Sequence, residues 1–86
     1  MNVLIPSALQ SYTGAAEIEA AGDTLAELFE ALDARYPGMR FRIIDEHQRV
    51  RRHIKLFVNR DQADGDLATP LEPGDEIMIV AALSGG

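Results

Sequence analysis

The apolar and polar positions at the start of the chain follow strand patterns. Residues 3–5 (Val-Leu-Ile), closed by Pro6, are short and β-prone. In residues 17–20 (Glu-Ile-Glu-Ala) charged and apolar side chains alternate, as they do in a strand with one exposed face. The stretch between them contains Gly14 and is typical of a turn, so this part of the chain predicts a β-hairpin.

The clearest element in the sequence is a helix that begins after Thr24. Thr24 and Glu27 have the spacing of a capping box, in which each side chain accepts a hydrogen bond from a free backbone N–H of the first turn. Pro37 and Gly38 end the helix. Its large apolar residues recur at the spacing of one helix face: Leu25, Leu28, Phe29 and Leu32. This face must pack against another apolar surface.

The segment after the helix is less regular. Residues 39–53 show no clear period, and we expect an irregular segment with one turn of helix. Residues 54–59 (Ile-Lys-Leu-Phe-Val-Asn) predict a strand, because alternate positions are apolar. The Asp-rich residues 60–66 predict a loop, with Leu67 and Leu71 in a short strand or turn beneath it.

A last strand, residues 76–81, follows the turn signal Pro-Gly-Asp and is apolar on both sides. One helix can cover only one face of a sheet, so we assign Ile77 and Ile79 to the helix side. The open face then presents four apolar side chains: Leu4, Phe57, Met78 and Val80. Since the first and last strands are the most apolar, we expect them to pair in parallel at the centre of a four- to five-stranded mixed sheet. The sequence predicts a single α+β domain over residues 1–86, with one main helix.

Charge is unevenly distributed along the chain. The net charge is −6, yet all eight basic residues lie between Arg35 and Arg60, where the only acids are Asp45 and Glu46. Eight positive charges against two negative ones give this segment a net +6, whereas the flanks hold the other twelve of the fourteen acids. Such a separation can steer a partner by the sign of its charge, or the oppositely charged segments can complement each other within the fold. The second interpretation is the more ordinary one.

Few residues are available for catalysis or metal binding. The chain has no Cys, which excludes disulfides, thiolate catalysis and Cys-ligated zinc. His47 and His53 lack metal-ligand spacing, and the acids around Gly65 do not fit a calcium loop, so we expect no metal site. Residues 49–53 (Arg-Val-Arg-Arg-His) are a weak candidate patch for phosphate or nucleic acid. The net acidic charge argues against it, and we expect no nucleic-acid partner.

The sequence gives no sign of a membrane segment or a leader peptide. No window approaches the roughly eighteen uninterrupted apolar residues of a membrane-spanning helix. The first residues lack the basic flank and the length of a signal peptide. We therefore expect a cytoplasmic protein without a membrane partner.

The last residues, 81–86, read Ala-Ala-Leu-Ser-Gly-Gly and raise the question of a working C-terminus. Without thiols, the chain offers an electrophile only through a carboxyl group, and the α-carboxylate of Gly86 is the one at the end of a tether. This carboxylate is inert to nucleophiles until it is activated. If it attacks the α-phosphate of ATP, it becomes an acyl-adenylate, and sulfide, a thiolate or an amine can then attack the acyl carbon. Gly85 and Gly86 lack a Cβ and fit a narrow channel. A flexible tail over 81–86 would span about 20 Å at about 3.3–3.6 Å per residue, enough to enter another protein's active site.

Four stretches of the chain match a known family. They are the Thr24-capped helix after Gly22, residues 58–59 (Val-Asn), residues 71–77 (Leu-Glu-Pro-Gly-Asp-Glu-Ile) and residues 83–86 (Leu-Ser-Gly-Gly). Together they resemble the small ubiquitin-like sulfur carriers of the MoaD/ThiS family, and the resemblance covers nearly the whole chain. It implies a β-grasp fold.

A more detailed resemblance lies in residues 51–59 and 66–71, which are more similar to the CysO-like carriers of cysteine biosynthesis than to short ThiS chains. The tail departs from that branch, because CysO-like tails usually have Val and Ala before the two glycines. The acceptor pathway therefore stays open between cysteine biosynthesis and a molybdopterin or thiamine type of pathway.

The resemblance also implies that the protein is a cosubstrate and not an enzyme, with no cofactor of its own. An adenylating enzyme of the ubiquitin-activating type (MoeB/ThiF-like) would use ATP to join Gly86 to AMP. A sulfur donor would then make a thiocarboxylate. A sulfur-acceptor enzyme would take the sulfur: a cysteine-synthase homologue, the molybdopterin synthase large subunit or a thiazole synthase.

Site residues follow from the same resemblance. Gly86 would be the site of adenylation and thiocarboxylation, with Leu83, Ser84 and Gly85 threaded into the partner's active site. The open sheet face would bind the partner. Two alternatives stay open: a protein modifier that Gly86 joins to lysines by isopeptide bonds, and a plain interaction module whose two glycines have no function.

Overall fold

The computed structural model describes residues 1–63 and 65–82 of the chain. In this part of the chain, a mixed sheet is accompanied by one long helix and two short helices. The strands are β1 Asn2–Leu4, β2 Glu17–Glu19, β3 Ile54–Val58, β4 Asp61–Ala63 and β5 Glu76–Ala81. The helices are α1 Gln10–Thr13, α2 Leu25–Arg35 and α3 Met39–Ile43, and a 3-10 turn, Ser7–Leu9, precedes α1.

The sheet has the strand order β2-β1-β5-β3-β4. β1 and β5 are parallel neighbours, which confirms the predicted central pair, and the other neighbouring strands are antiparallel. Val3 pairs with Ile77 across the parallel pair, and both side chains are fully buried. A parallel pair needs a long crossover connection between its strands, and α2 lies within that connection.

Helix α2 begins where the capping pattern predicts. The backbone N–H of Glu27 donates to the Thr24 hydroxyl oxygen at 3.2 Å, while Thr24 itself has extended backbone angles. Among the described residues, the Glu27 carboxylate does not return a hydrogen bond to Thr24, so one half of the predicted box forms. The apolar face of α2 is entirely enclosed: Leu25, Leu28, Phe29 and Leu32 are all 0% exposed.

The core lies between α2 and one face of the sheet, and the short helix α3 completes it. Met39 and Ile43 of α3, together with the following Ile44, are fully buried in the same cluster as the α2 side chains. The predicted single turn of helix in the segment 39–53 is therefore present, and its function is to bury apolar side chains. Phe41 lies on the other side of α3 and is 56% exposed.

Two connections differ from the sequence-based expectation. The predicted turn between β1 and β2 contains the 3-10 turn and α1, which ends at Gly14 with φ +72°. The predicted loop at 60–66 contains β4, which pairs with β3 in the register Val58 to Asp61. Asn59 and Arg60 join these strands, both with positive φ, as a two-residue hairpin turn of type I′ requires. Leu67 and Leu71 lie outside the strands, so the fifth strand is β4.

The end of β5 is held to the sheet. Ala81 pairs with Ile54 of β3, and the backbone N–H of Ala82 donates to the His53 carbonyl at 2.7 Å. The boundary predicted for the tail, residue 81, is therefore too early, because Ala81 and Ala82 are bound to β3. The rest of the predicted tail, residues 83–86, lies outside the described residues. No helix in the described ranges is long and apolar enough to span a membrane.

Candidate functional site

The open face of the sheet has an apolar centre between polar ends. Leu4 of β1 and Phe57 of β3 both pair with Met78 of β5, so the three side chains form one row across the middle of the sheet. The row continues to Glu17 on the β2 edge and to Gln62 on the β4 edge. An apolar centre with a polar rim is the usual anatomy of a protein-binding patch. We call these three apolar residues and Val80 the open-face patch.

Burial separates this patch from the core. Leu4, Phe57 and Met78 are half-buried, and Val80 is 37% exposed. Their neighbours along β5, Ile77 and Ile79, are 0% and 2% exposed and point to the helices. Successive side chains of a strand point to opposite faces, so the predicted division of β5 into two faces agrees with the structure.

The open-face patch leads directly to the tail root. Val80 pairs with Lys55, and the next residue of β5, Ala81, pairs with Ile54. Ala82 then donates to His53. The segment that precedes β3 therefore lies beside the point where the chain continues to residues 83–86. We call Ala81 and Ala82 the tail root. The predicted site residues Leu83, Ser84, Gly85 and Gly86 lie outside the described residues.

The Pro-Gly-Asp motif that precedes β5 has a structural role. One carboxylate oxygen of Asp75 accepts from the backbone N–H of Glu72 at 2.8 Å, and the other accepts from the side-chain amide of Asn59 at 2.8 Å. Asn59 in turn accepts a hydrogen bond from the backbone N–H of Glu76. The backbone N–H of Glu72, and then the Asn59 amide, hold the pKa of Asp75 below its ordinary value. These contacts fix the start of β5 against the end of β3.

A second carboxylate organises the turn after α3. Asp45 accepts hydrogen bonds from the backbone N–H groups of His47 and Arg49, at 2.8 and 3.1 Å. The N–H of Arg49, more than that of His47, lowers the pKa of Asp45. This turn sets the course of the basic residues that follow it toward β3.

The other candidate residues do not assemble into a metal centre. His47 lies 3.5 Å from the Glu46 carboxylate on the surface. Asp61 is part of β4, and Asp66 accepts from the backbone N–H of Ala68 in a turn. Within residues 1–63 and 65–82, no three His, Asp or Glu side chains come close enough to hold a metal ion.

Direct ion pairs are few among the described residues. In the described ranges the salt bridges join the N-terminal ammonium to Glu19 and His47 to Glu46. Neither involves a Lys or Arg side chain. Within these residues, no direct ion pair joins the basic segment to an acidic flank.

Comparison with solved structures identifies the fold. The chain superposes on the crystal structure of CysO from Mycobacterium tuberculosis with a TM-score of 0.88 and 32% identity, covering 95% of this chain and 98% of that one. A chain of the Amycolatopsis orientalis BexX/CysO complex gives 0.87 and 30%, with 99% and 98% covered. The solution structure of small archaeal modifier protein 1 from Methanosarcina acetivorans gives 0.81 and 23%, with 99% and 94% covered. The fold is thus the β-grasp of ubiquitin-like proteins, as expected.

Comparison of sequences identifies the family. The sequence pattern of the ThiS family matches residues 3–86. Curated relatives include the sulfur carrier protein CysO of Mycobacterium tuberculosis and of Mycobacterium bovis, each 33% identical over 91 residues that cover all of this chain and 98% of the relative. The chain belongs to the ThiS family.

Proposed function

We propose that this chain is a sulfur carrier whose C-terminal Gly86 is converted to a thiocarboxylate that donates sulfur in biosynthesis. The observation that supports this most directly is the full-length similarity to proteins named sulfur carrier, together with a family match that includes the two glycines. The open-face patch beside the tail root supports it further, because a carrier must be recognised by enzymes that act on its tail.

Two steps convert the carboxylate. An oxygen of the Gly86 carboxylate attacks the α-phosphorus of ATP, and the bond from that phosphorus to the bridging oxygen breaks, releasing pyrophosphate. Hydrosulfide, or a donor that supplies sulfur in the same oxidation state, then attacks the acyl carbon. AMP leaves with the electrons of the C–O bond and a proton goes to solvent. The product is a thiocarboxylate, and no oxidant or reductant is needed.

The carrier supplies recognition and reach, and the partner supplies the catalytic groups. We propose an adenylating enzyme of the ubiquitin-activating type as that partner, with ATP bound to the enzyme and not to the carrier. The open-face patch docks on it, while Leu83, Ser84 and Gly85 enter its active site. Glycine suits the last positions because the absence of a Cβ lets the chain pass through a narrow channel.

The acceptor we favour belongs to cysteine biosynthesis. The similarity of residues 51–59 and 66–71 to CysO-like carriers, and the CysO relatives at 33% identity, favour it over a molybdopterin or thiamine pathway. In this proposal a cysteine-synthase homologue takes the sulfur from Gly86. The CysO of Amycolatopsis orientalis has been crystallised in a complex with BexX, so carriers of this kind assemble with protein partners.

The second candidate function is a protein modifier. The likeness to small archaeal modifier protein 1, at 23% identity, extends to the fold alone. Both functions share the adenylation step and differ in the nucleophile, which is sulfide for a carrier and a lysine amine for a modifier.

Pyrophosphate exchange tests the shared step, and product analysis separates the two functions. Purified chain, ATP and the adenylating enzyme from the same cells should exchange labelled pyrophosphate into ATP, and removal of Gly86 should abolish the exchange. Sulfide should then yield a thiocarboxylate, whereas a cell extract should yield no ladder of heavier conjugates on an immunoblot. Conjugates that form without a thiocarboxylate would favour the modifier.

A further inference from the structure

A basic cleft lies along β3, the strand that pairs with the tail root. It has a volume of about 460 Å³ and is formed between the loop before β3 and the β3–β4 hairpin. We define the basic cleft by its cationic side chains: Arg49, Arg51, Arg52 and Lys55. The other described residues that line it are neutral, so no described carboxylate lies among its walls.

The cations of the basic cleft have no ionic partners within the described residues, where both salt bridges lie elsewhere. Arg51 is nevertheless held in place: its Nε donates to the Phe41 carbonyl at 2.7 Å, and its guanidinium lies 4.5 Å from the centre of the Phe41 ring. Four like charges in one concavity repel each other, and an acidic ligand would relieve that repulsion.

The register of β3 against β5 places part of the basic cleft beside the open-face patch and the tail root. Lys55 pairs with Val80 of the open-face patch, and His53, which follows Arg52, accepts the hydrogen bond from Ala82. A protein that binds both the tail root and the open-face patch therefore also meets Lys55 of the basic cleft. The cleft and the open-face patch form one continuous surface through Lys55.

An extended tail would hold the phosphates of ATP away from these cations. From Ala82 to Gly86 the chain spans at most about 14 Å, at about 3.3–3.6 Å per residue. A carrier bound for adenylation, with its tail extended in the partner's channel, would hold the nucleotide about that far from its own tail root. The cleft would instead face the protein surface around the mouth of the channel.

We propose that the basic cleft docks onto a carboxylate-rich surface of the adenylating enzyme, beside the mouth of the channel that receives the tail. This inference rests on the proposed function and names the chemistry of its partner. The cleft orients the approaching carrier. Apart from the four cations of the cleft, the chain has fourteen acidic and four basic residues, so its remaining surface is on balance repelled by carboxylates and the cleft is the favoured side of approach.

A nucleic-acid ligand fits the same cations less well. Single-stranded nucleic acid is usually bound by a basic groove with aromatic rings free for base stacking. The exposed aromatic ring nearest the cleft, Phe41, has one face occupied by Arg51.

Charge reversal in the cleft, with a matched reversal elsewhere, tests the proposal. Arg52→Glu/Lys55→Glu reverses two exposed cations, and Arg60→Glu reverses an exposed cation beyond the far end of β3. Wild type and variants are assayed by pyrophosphate exchange with the adenylating enzyme, with the carrier concentration varied. We expect the KM of the double variant to rise about tenfold at low ionic strength, with kcat within about twofold, because exposed interfacial charges govern association.

Salt supplies the second readout. At about 0.5 M salt the KM of the double variant should approach that of wild type, because screening shortens the range of exposed charges to a few ångströms. Arg60→Glu should change KM by no more than about twofold at either salt concentration. The neutral variant Arg52→Gln/Lys55→Gln should lie between wild type and the double reversal, and thermal unfolding confirms that each variant is folded.

These assays distinguish a failure of the docking proposal from a failure of the proposed function. No exchange with the wild-type chain means that the proposed function fails. Normal exchange with equal KM for the double variant and Arg60→Glu overturns the inference alone. Binding of a labelled single-stranded RNA is measured for the wild type and the double variant. If the double variant loses RNA binding while its KM is unchanged, the cleft binds nucleic acid and the inference is overturned.

Discussion

At the scale of single residues, Gly22 is required by close packing and not by backbone conformation. A Cβ at this position would lie 2.5 Å from the backbone nitrogen of Leu28 and 2.9 Å from its Cα. These are backbone atoms of α2 and cannot move aside as a flexible side chain can. The glycine that precedes the capped helix in the family resemblance therefore lets the chain pass directly against α2.

Gly22→Ala should destabilise the protein by about 1–3 kcal/mol, because the added methyl group forces the segment before α2 away from the helix. Gly74→Ala is the matched control, since a methyl group added there would meet no heavy atom of a non-neighbouring residue within 4 Å. Urea unfolding measures both free energies of unfolding. Equal midpoints for the two variants would contradict the packing role of Gly22.

Asp75 is the second residue whose role is specific. Its pKa is lowered in the folded protein, chiefly by the hydrogen bond from the N–H of Glu72, so the folded state binds the proton less tightly than the unfolded state. Its contribution to stability is therefore complete above the ordinary carboxyl pKa of about 4 and is lost as the pH falls below it, through the folded pKa.

Asp75→Asn should remove this dependence. The variant should be less stable than wild type at neutral pH, because it loses charge-assisted hydrogen bonds, and the difference should shrink as the pH falls below about 4. Urea unfolding at a series of pH values gives the two curves. A difference that stays constant with pH would show that the charge of Asp75 does not stabilise the link between β3 and β5.

At the scale of elements, the sequence predicts those helices and strands whose formation depends on a local pattern of residues. Helix α2 is defined by its cap at Thr24 and by the spacing of its apolar residues, Leu25, Leu28, Phe29 and Leu32. The apolar strands β1 and β5 could be placed at the centre of the sheet because a central strand has the most surface to bury. Strand β4 was not predicted, because it has only three residues, begins with an acidic residue and lies at the edge of the sheet. Its turn, Asn59-Arg60, lacks the glycine that usually marks a type I′ turn.

The basic cleft could be predicted only in part, for a different reason. Arg49, Arg51 and Arg52 follow no period, and their convergence with Lys55 on one concavity depends on how the Asp45 turn and the β3–β4 hairpin lie in space. Two features of the sequence pointed to it: the uneven charge, and residues 49–53, which were a weak candidate patch for phosphate or nucleic acid. Neither feature indicated its position along β3.

The open-face patch allows a prediction at this scale. Phe57→Asp or Met78→Asp should weaken binding to the adenylating enzyme by roughly thirtyfold or more, since apolar residues at the centre of an interface dominate its free energy. Ala34→Asp adds the same charge on the exposed side of α2 and is the control. Titration calorimetry compares the three, and thermal unfolding shows whether each variant is folded. Unchanged binding by both folded variants of the patch would contradict its role.

At the scale of the whole molecule, three features lie at one end and one face of a small domain. The open-face patch provides apolar contact, the basic cleft provides orientation, and the tail root marks where the chain continues to Gly86. In the proposed function, the body of the protein is the recognition unit for a reaction at its last residue. This arrangement explains why a chain without thiols or a metal site in its described part can take part in sulfur chemistry.

The central claim is that sulfur is attached at the carboxyl group of Gly86, and top-down mass spectrometry tests it most directly. After incubation with ATP, the adenylating enzyme and sulfide, the intact chain should show one oxygen replaced by sulfur, and fragmentation should place the sulfur on Gly86. A chain without Gly86 should show no exchange. Sulfur found on any other residue, or exchange that persists without Gly86, would contradict the account.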